Sequence, residues 1–583
     1  MEKSIRSIFT TAAAILLCSG AEILTDATVY YVSQAGNDSN SGTDSTLPWL
    51  HCPGMSGWSG VKTLNAGDTV YFRNTDTWEA AAGQSMVQVT GGVTYDGRSW
   101  GSGSRATLKA QGAFNRAVIN CMEDDQTYPT VLCGFNVDAN HFVTSGVTFN
   151  WPHADRNLTG ALKKVEDCEI QNVWSEQAKD QYEYGILSGG WGGFHIANFE
   201  ILDCDVHHIS RGGINNYMGN DIPGNRSDNV LIRGNTICST GTDPDYSGSA
   251  IAIKNHTVNT IVEYNYIHDI VNGTGIGLDV HPEDGFIGPE NAIIRHNIVA
   301  DIPHCGIYLG SPGVQSYDIY GNIFMRCSYE AIRVSGQMGG TVRLRIINNT
   351  FFQNFPGDWS QQVRIAPSSA FFEILEVKNN IFYCPSGTSS RALLDDEGSI
   401  RAHSNNLYFH PENRTLVICD GVRYNAQTIS SWEPTSVTGA PGFKDTSMVP
   451  AGFSGQYGHD LVPAPDGLSL SITGAAINSG ADLGNTFAGA INLSGIGPQR
   501  LRPRGHAWDI GAYQSEIMSE VHVFPAKMSA GKKLVSQAES KPAVFTIDGR
   551  LYKNRTSINP PNPLIDKKEK KILLSPVLRK EKR

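Results

Sequence analysis

Short runs of alternating apolar and polar residues recur through the middle of the chain. Between residues 165 and 407, a polar residue is repeatedly followed, within two positions, by a large apolar residue. These polar residues are Cys168, Cys204, Asn235, Asn265, Asn297, Asn322, Asn349, Asn380 and Asn406. Successive copies lie 25 to 36 residues apart, a spacing typical of repeat architectures.

Each interval contains two further alternating runs. One follows a small residue and begins with an isoleucine, at Ile214, Ile251, Ile276, Ile307 and Ile332; the other leads into the next Asn. Runs of this length with period two are typical of β-strands, and the intervening Gly and Asn favour tight, often left-handed corners. Three strands per repeat predict an all-β protein, a right-handed parallel β-helix with three strands per coil. A helical solenoid is disfavoured because the runs lack a 3.6-residue period.

The recurring Asn has a structural explanation, because its amide can hydrogen-bond to the equivalent Asn one coil along. Cys168 and Cys204 occupy this column in the first two coils. Stacked coils are about 4.8 Å apart, so we expect the two cysteines to be neighbours, either as buried thiols or as a disulfide. The cysteine spacings match no zinc ligand set.

Segments near both ends resemble secreted bacterial β-helix proteins related to polysaccharide lyases, the pectate lyase-like superfamily. Tyr30 to Thr43 and Leu64 to Tyr71 are similar to the N-terminal segment of these proteins, and Ala476 to Tyr513 contains stretches similar to their closing segment. The resemblance covers about residues 28–514 and implies a glycan ligand. This fold carries lyases, hydrolases, epimerases and non-catalytic surface proteins.

The segments are predicted in the following order: a signal peptide over 1–21, an N-terminal cap and first coils over 28–160, the central β-helix over 161–440, a closing segment over 441–514, and a small β appendage with a basic tail over 515–583. The first segment has the basic, apolar and small-residue order of a secretory signal, which predicts a secreted protein. No later stretch approaches about 18 apolar residues, so no transmembrane segment is expected. A sorting or anchoring role of the tail stays open.

Charge narrows the ligand class. The net charge is −11, and the segment from Lys527 to Arg583 has fifteen Lys and Arg against five Asp and Glu, so the remaining chain carries −21 by difference. Such an acidic body disfavours nucleic acid as a partner. An acidic polysaccharide would have to be held by local Arg or Lys or by a bound cation. A monomer is favoured.

Strand alternation identifies outward positions on the strands that begin with the isoleucines. The next residues are Asn215, Ala252, Gly277, Tyr308 and Arg333; two positions further are Tyr217, Lys254, Asp279, Gly310 and Ser335; His256 and His281 lie beyond them. We therefore expect Lys254 to stack on Asp279 and His256 on His281. The small Ala252 and Gly277 leave room for a ligand.

The loop after Leu278 adds Glu283 and Asp284 to the same end of the strand. With Asp279, their oxygens suit a hard cation such as calcium. The same residues also fit a solvated turn.

This group suits β-elimination on a uronate polysaccharide, in which a base removes the proton alpha to a neutralised carboxylate. Lys254 is the first candidate base, as in related lyases. A free carboxylate beside it would raise the pKa of the lysine, so the role requires a cation on Asp279; otherwise His281 is the better base. Arg333 could meet a substrate carboxylate, while Asn215, Tyr217, His256 and Tyr308 are predicted to contact the sugar.

Three alternatives remain. A glycoside hydrolase would need two carboxylates about 5 to 9.5 Å apart, for which Asp279 with Asp269 or Glu283 are candidates. A C5-epimerase is suggested by a slight likeness of residues 279–283 to the acidic and histidine motif of alginate epimerases. A non-catalytic glycan-binding protein is the alternative from another class.

Overall fold

The computed structural model describes residues 27–515 except 82–84, 113–116, 150–156, 175–182, 191–193, 219–225, 244–247, 279–287, 311–314, 336–338, 358–359, 367–368, 455–461 and 492–498. The predicted signal peptide and nearly all of the predicted appendage lie outside the described residues. Within the described part of the chain, no helix is long and apolar enough to cross a membrane.

Three sheets of 13 strands each run along the described chain, which visits them in turn. The first sheet contains Val29–Val32, Thr69–Arg73, Thr94–Trp100, Thr130–Cys133, Lys163–Glu166, His195–Leu202, Arg226–Arg233, Thr257–Glu263, Ala292–Arg295, Gln315–Tyr320, Gly339–Ile347, Ser369–Lys378 and Ala402–Ser404. The second sheet contains Thr77–Ala80, Ala106–Ala110, Phe135–Asp138, Glu169–Val173, Asp205–Ile209, Thr236–Thr240, Tyr266–His268, Ile298–Ala300, Ile323–Met325, Thr350–Phe352, Ile381–Tyr383, Leu407–Phe409 and Val437–Thr438. The third sheet contains Val87–Val89, Ile119–Cys121, Ser145–Phe149, Tyr184–Gly190, Gly212–Met218, Gly248–Ile253, Gly273–Leu278, Ile307–Leu309, Ile332–Val334, Gln361–Ile365, Arg391–Asp395, Val417–Cys419 and Val422–Tyr424.

The pairing within these sheets is parallel, except that Val422–Tyr424 runs antiparallel to Val417–Cys419 at the end of the third sheet. Two small antiparallel pairs follow the coils, Phe453–Ser454 with Val462–Pro463 and Gly489–Ile491 with Gln499–Leu501. Short 3₁₀ helices span Ile429–Ser431 and Asn485–Phe487. The protein is a right-handed parallel β-helix with three strands per coil, and the predicted fold class is confirmed.

Left-handed residues build the corner between the first and second sheets. Asp203 has φ 51°, Gly234 φ 72°, Asn348 φ 54° and Asn379 φ 55°. Gly, Asn and Asp tolerate this conformation best, because other side chains clash with the following carbonyl. The predicted left-handed corners are thus confirmed, and they explain the high Gly and Asn content of the repeat.

From Gly234 onward, the residue after each of these corner positions belongs to the predicted asparagine ladder. In the ladder from Asn235 to Asn406, each asparagine accepts the backbone N–H of the equivalent residue one coil earlier, at 2.9–3.0 Å. All seven asparagines are fully buried. Glu433 ends the ladder by accepting the backbone N–H of Asn406 at 2.8 Å and the Tyr408 hydroxyl at 2.9 Å.

Cys168 and Cys204 extend the same column toward the N-terminal coils. Asn235 accepts the backbone N–H of Cys204 at 3.0 Å. Both cysteines are buried free thiols, so of the two predicted states the structure contains the thiol pair.

The core follows the predicted register. Ile214, Ile251, Ile276, Ile307 and Ile332 pair in sequence across the third sheet, and none of them is exposed. Burying a large aliphatic side chain contributes about 1.5 to 3 kcal/mol. This file therefore fixes which residues of the third sheet face outward.

The chain after the last coil covers the outer face of the second sheet. Ile298, Ile323 and Phe352 point away from the core and pack against Leu468 and Tyr513 of the closing segment.

A buried arginine holds this covering segment in shape. The Arg502 guanidinium donates to the carbonyls of Asp509, Tyr513 and Gly511 at 2.6–3.0 Å. The second sheet is therefore covered where the closing segment lies, whereas the outer face of the third sheet carries an open groove.

Candidate functional site

The strands of the third sheet begin with a tight corner that changes which residues face outward. A Cβ on Gly275 would lie 2.6 Å from the carbonyl oxygen of Gly306 and 2.9 Å from a methyl group of Val299. The small residue and the isoleucine after it therefore both point inward. As a result Ser249 and Thr274, two positions before their isoleucines, face outward, and their hydroxyls lie 2.7 Å apart.

A groove of about 400 Å³ crosses this outer face. It is lined by Tyr184, Arg211, Gly248, Ser249, Ala252, Lys254, Gly273, Thr274, Gly277, His304, Cys305, Tyr308, Tyr329 and Arg333. Its floor is made by small residues on two adjacent coils, Gly248 with Gly273 and Ala252 with Gly277, which are paired in register. The prediction that Ala252 and Gly277 leave room for a ligand agrees with this geometry.

The charged residues among the described lining are all cations. Lys254 is half-buried, and it lies between Arg211 on one side and Arg333 on the other along the helix axis. His304 adds an imidazole. Guanidinium and ammonium groups that converge in one groove favour carboxylate or other oxyanion ligands.

One buried carboxylate, that of Glu330, lies next to Arg333 of this cationic group. Glu330 is 2% exposed, and it accepts a hydrogen bond from the Gln361 amide at 2.6 Å. Its other oxygen is 3.8 Å from the Arg333 guanidinium. Glu330 therefore positions Arg333, while its own carboxylate is not among the groove's lining residues.

The groove also contains tyrosines and one thiol. The Tyr308 hydroxyl donates to Ser335 at 2.9 Å, and the Tyr329 ring lies edge-on to His304 with centroids 5.7 Å apart. Burial, together with the negative charge of Glu330, raises the pKa of Cys305 to about 12. The thiol therefore stays protonated at neutral pH and is a poor nucleophile.

The structure brings Lys254, Tyr308 and Arg333 together, as the strand register predicts. Asn215 and Tyr217 occupy the predicted outward files, but they are only 3% and 8% exposed and do not line the groove. An outward side chain gains no solvent access where neighbouring residues cover the sheet. Their predicted sugar contacts are not supported by this position.

His256 is displaced from the predicted file. Its backbone adopts φ 53°, and it lies in the turn before the strand Thr257–Glu263 of the first sheet. The preceding strand of the third sheet ends at Ile253, so strand alternation does not extend to His256 and the predicted outward file is not supported at this residue.

The predicted residues Asp279, His281, Glu283 and Asp284 lie outside the described residues. The expected Lys254–Asp279 and His256–His281 stacks and the calcium ligands are therefore still predictions. Among the described residues, no cluster of three or more His, Cys, Asp or Glu side chains could hold a metal ion.

Sequence reasoning missed Arg211, His304 and Tyr329, which come from turns rather than strands. Each lies three positions before an isoleucine of the core file, in the same column as Gly248 and Gly273. Alignment of the repeats on the isoleucines displays this column. The sequence does not show whether the residues at the corner before each strand of the third sheet face the core or the outer surface.

Known proteins were compared with this chain at the level of sequence and structure. No protein-family model and no curated protein matches it. The A-module of the mannuronan C-5 epimerase AlgE4 of Azotobacter vinelandii is 13% identical, with a TM-score of 0.39 over 60% of this chain and 90% of that one. The pectate lyase Pel9A is 12% identical, with a TM-score of 0.39 over 84% and 96%.

An alginate lyase from Paenibacillus sp. str. FPU-7 is 13% identical, with a TM-score of 0.27 over 53% of this chain and 91% of that one. Likenesses this distant assign no activity. By its own strand order and register, the chain is a right-handed parallel β-helix protein, the architecture that the resemblance of its terminal segments predicts.

Proposed function

We propose that the protein is a carbohydrate-active enzyme that binds an acidic, uronate-containing polysaccharide in the groove of the third sheet and cleaves it by β-elimination. The observation that carries this proposal is the charge of the groove. Arg211, Lys254 and Arg333 are the charged residues of its described lining, although the chain as a whole carries −11. A local cationic site lets an acidic protein hold an acidic polymer.

The reaction places three demands on the groove. Arg211, one strand step from Lys254, would pair with the carboxylate of the reacting uronate and so acidify the proton on the adjacent carbon, while Arg333, on the opposite side of Lys254, would pair with the carboxylate of a neighbouring sugar. Lys254 in its neutral form would accept that proton. The C–H electron pair would form a double bond as the bond to the glycosidic oxygen breaks.

The leaving oxygen then needs a proton. The Tyr308 hydroxyl, which lines the groove and is hydrogen-bonded to Ser335 at 2.9 Å, would supply the proton or relay one from water. His281 is the alternative base in this proposal.

A bound calcium ion belongs to the proposal as well. Asp279, Glu283 and Asp284 would hold it through carboxylate oxygens, and the ion would neutralise the substrate carboxylate. Treatment with EDTA followed by calcium add-back tests this directly: lost and restored turnover supports the ion, and unchanged turnover assigns the neutralisation to the arginines.

Hydrolysis receives less support from the described residues. An enzyme of that class needs two carboxylates facing the substrate. The described lining has none, and the adjacent Glu330 is buried behind it.

The decisive experiment is incubation with alginate, pectate, chondroitin and ulvan while ultraviolet absorbance is followed. A lyase product contains a conjugated double bond and absorbs, whereas a hydrolase product does not. An epimerase leaves the chains uncut. If no member of the panel yields an absorbing product, β-elimination is excluded for these substrates; shortened chains then identify a hydrolase, and chains that are neither cut nor epimerised favour the non-catalytic glycan-binding alternative.

Export is a further part of the proposal, based on the signal-like residues 1–21. Mass spectrometry of the protein recovered from culture medium tests it. Removal of residues up to about Ala21 is the expected result, and retention of Met1 would contradict it.

A further inference from the structure

A second cavity of about 190 Å³ lies near the C-terminal end of the third sheet. It is lined by Ser389, Arg391, Arg414, Thr415 and Arg423. Three guanidinium groups and two hydroxyl-bearing residues thus face one small space. This combination offers many hydrogen-bond donors and positive charges to an oxyanion.

The cavity and the groove share one face of the helix. Register pairs link Tyr308, Arg333, Arg364, Leu394, Ile418 and Arg423 in sequence. Residues directly opposite each other in paired strands point to the same side of a sheet. Arg423 therefore continues the outward file that passes through Tyr308 and Arg333 in the groove.

Two of the three arginines of the second cavity, Arg414 and Arg423, differ from other surface arginines of the described chain. Other surface arginines have carboxylate partners: Arg364 lies 3.1 Å from Asp396, and Arg343 lies 2.8 Å from Glu373. In the described part of the chain, neither Arg414 nor Arg423 forms such an ion pair.

Arg391 is the most enclosed of the three, at 6% exposed. Burial, and next the charge of Arg423, lower the pKa of Arg391. Like charges gathered in one cavity repel each other, so an anion bound among them would be stabilised.

We propose that this arginine cavity is a distal subsite that binds an oxyanion substituent, either a carboxylate or a sulfate ester, of the same acidic polysaccharide that occupies the groove. The inference rests on the proposed function. Four strand steps separate Arg333 from Arg423, or about 19 Å at about 4.8 Å per step. A single sugar cannot span this distance, so the polymer would lie along the helix axis and contact both sites.

The test uses the full chain with Lys254→Ala in every sample, so that turnover does not consume the probe. Arg414→Glu with Arg423→Glu reverses the charge of the cavity at two exposed positions. Arg401→Glu with Arg343→Glu is the matched control, because both arginines are exposed and belong to the first sheet or its edge. Affinity is measured by calorimetry for polygalacturonate, alginate, dextran sulfate and neutral dextran.

The variant with Arg414→Glu and Arg423→Glu, called the cavity pair, should lose affinity by about tenfold or more for at least one acidic polymer, since each charge-assisted contact is strong. The control pair should lose less than about threefold. An arginine-dependent loss with polygalacturonate or alginate identifies a carboxylate, and one with dextran sulfate identifies a sulfate ester.

Three results would overturn the subsite: equal losses in both pairs, no loss in the cavity pair, or no binding of any acidic polymer. The subsite and the proposed activity are scored separately. If the unmodified protein cleaves a polymer, and the affinity for that polymer does not change in the Arg414→Glu and Arg423→Glu variant, only the subsite is refuted. Arginine-dependent binding without cleavage of any polymer refutes the lyase alone.

Discussion

The buried asparagine ladder and the outward file of the third sheet are built from the same repeat but behave in opposite ways. In the ladder, seven successive coils place the same residue type at the same position, from Asn235 to Asn406, with nearly identical hydrogen bonds. In the outward file, neighbouring coils place Ala252, Gly277, Tyr308 and Arg333 at one equivalent position.

The difference follows from where each side chain finds its partner. A buried amide has only the next coil to satisfy it, so a change in one coil leaves polar groups unpaired in two. An outward side chain does not depend on the same residue type in the next coil for its partner and carries no such constraint. In a repeat protein of this kind, constancy along a file therefore indicates structure, and variation indicates the place to seek function.

The largest expected effect comes from breaking the constant interior. Ile276→Asp would place a charge in the fully buried isoleucine file, and an unpaired buried charge costs more than the stability of most domains. We expect no soluble folded protein. Ile472→Asp is the control, because Ile472 is 67% exposed. A soluble Ile276→Asp protein that melts cooperatively by circular dichroism would show that the register is wrong.

A change in the variable file should act on activity instead. Lys254→Ala is expected to lower turnover on the cleaved polysaccharide by about 100-fold or more, since it removes the proposed base. Its melting temperature should stay close to that of the unmodified protein.

Lys164→Ala, a half-buried lysine of the first sheet, should retain activity and serves as the control. Full activity of Lys254→Ala would contradict the assignment. If His281→Ala alone is inactive, the base is the imidazole.

Features that recur in every coil could be predicted from the sequence. Features at the end of the repeat or in its turns could not. The isoleucine file and the asparagine ladder follow from strand periodicity alone. Glu433 as the end of the ladder, and the packing of Leu468 on the second sheet, depend on contacts outside the period. His256 was misplaced because the strand ends at Ile253 and strand alternation does not extend into the turn that follows, and Arg211 was missed because it lies in a turn.

An intermediate effect is expected from the ladder itself. Asn322→Ala would remove the acceptor of the Asn297 backbone N–H at 2.9 Å and the donor to the Ile294 carbonyl at 2.9 Å. Each buried group left unpaired costs about 1 to 3 kcal/mol, so we expect a loss of about 3 to 5 kcal/mol in the free energy of unfolding. Urea denaturation measures this, and a loss below about 1 kcal/mol would contradict the structural role of the ladder.

The smallest effect is expected from a second asparagine stack, which lies on the surface of the first sheet. Asn259 donates to Asn229 at 3.3 Å and accepts from Asn291 at 3.2 Å, and all three are exposed with left-handed φ near 55°. Water can replace these hydrogen bonds, so we expect the main role of these asparagines to be that they tolerate the left-handed backbone conformation.

Asn259→Gly should change the free energy of unfolding by less than about 0.5 kcal/mol, while Asn259→Ala should cost about 1 kcal/mol because Cβ disfavours this conformation. If Asn259→Gly costs as much as Asn322→Ala, then stacking itself stabilises the coils, and burial is not what separates the two ladders.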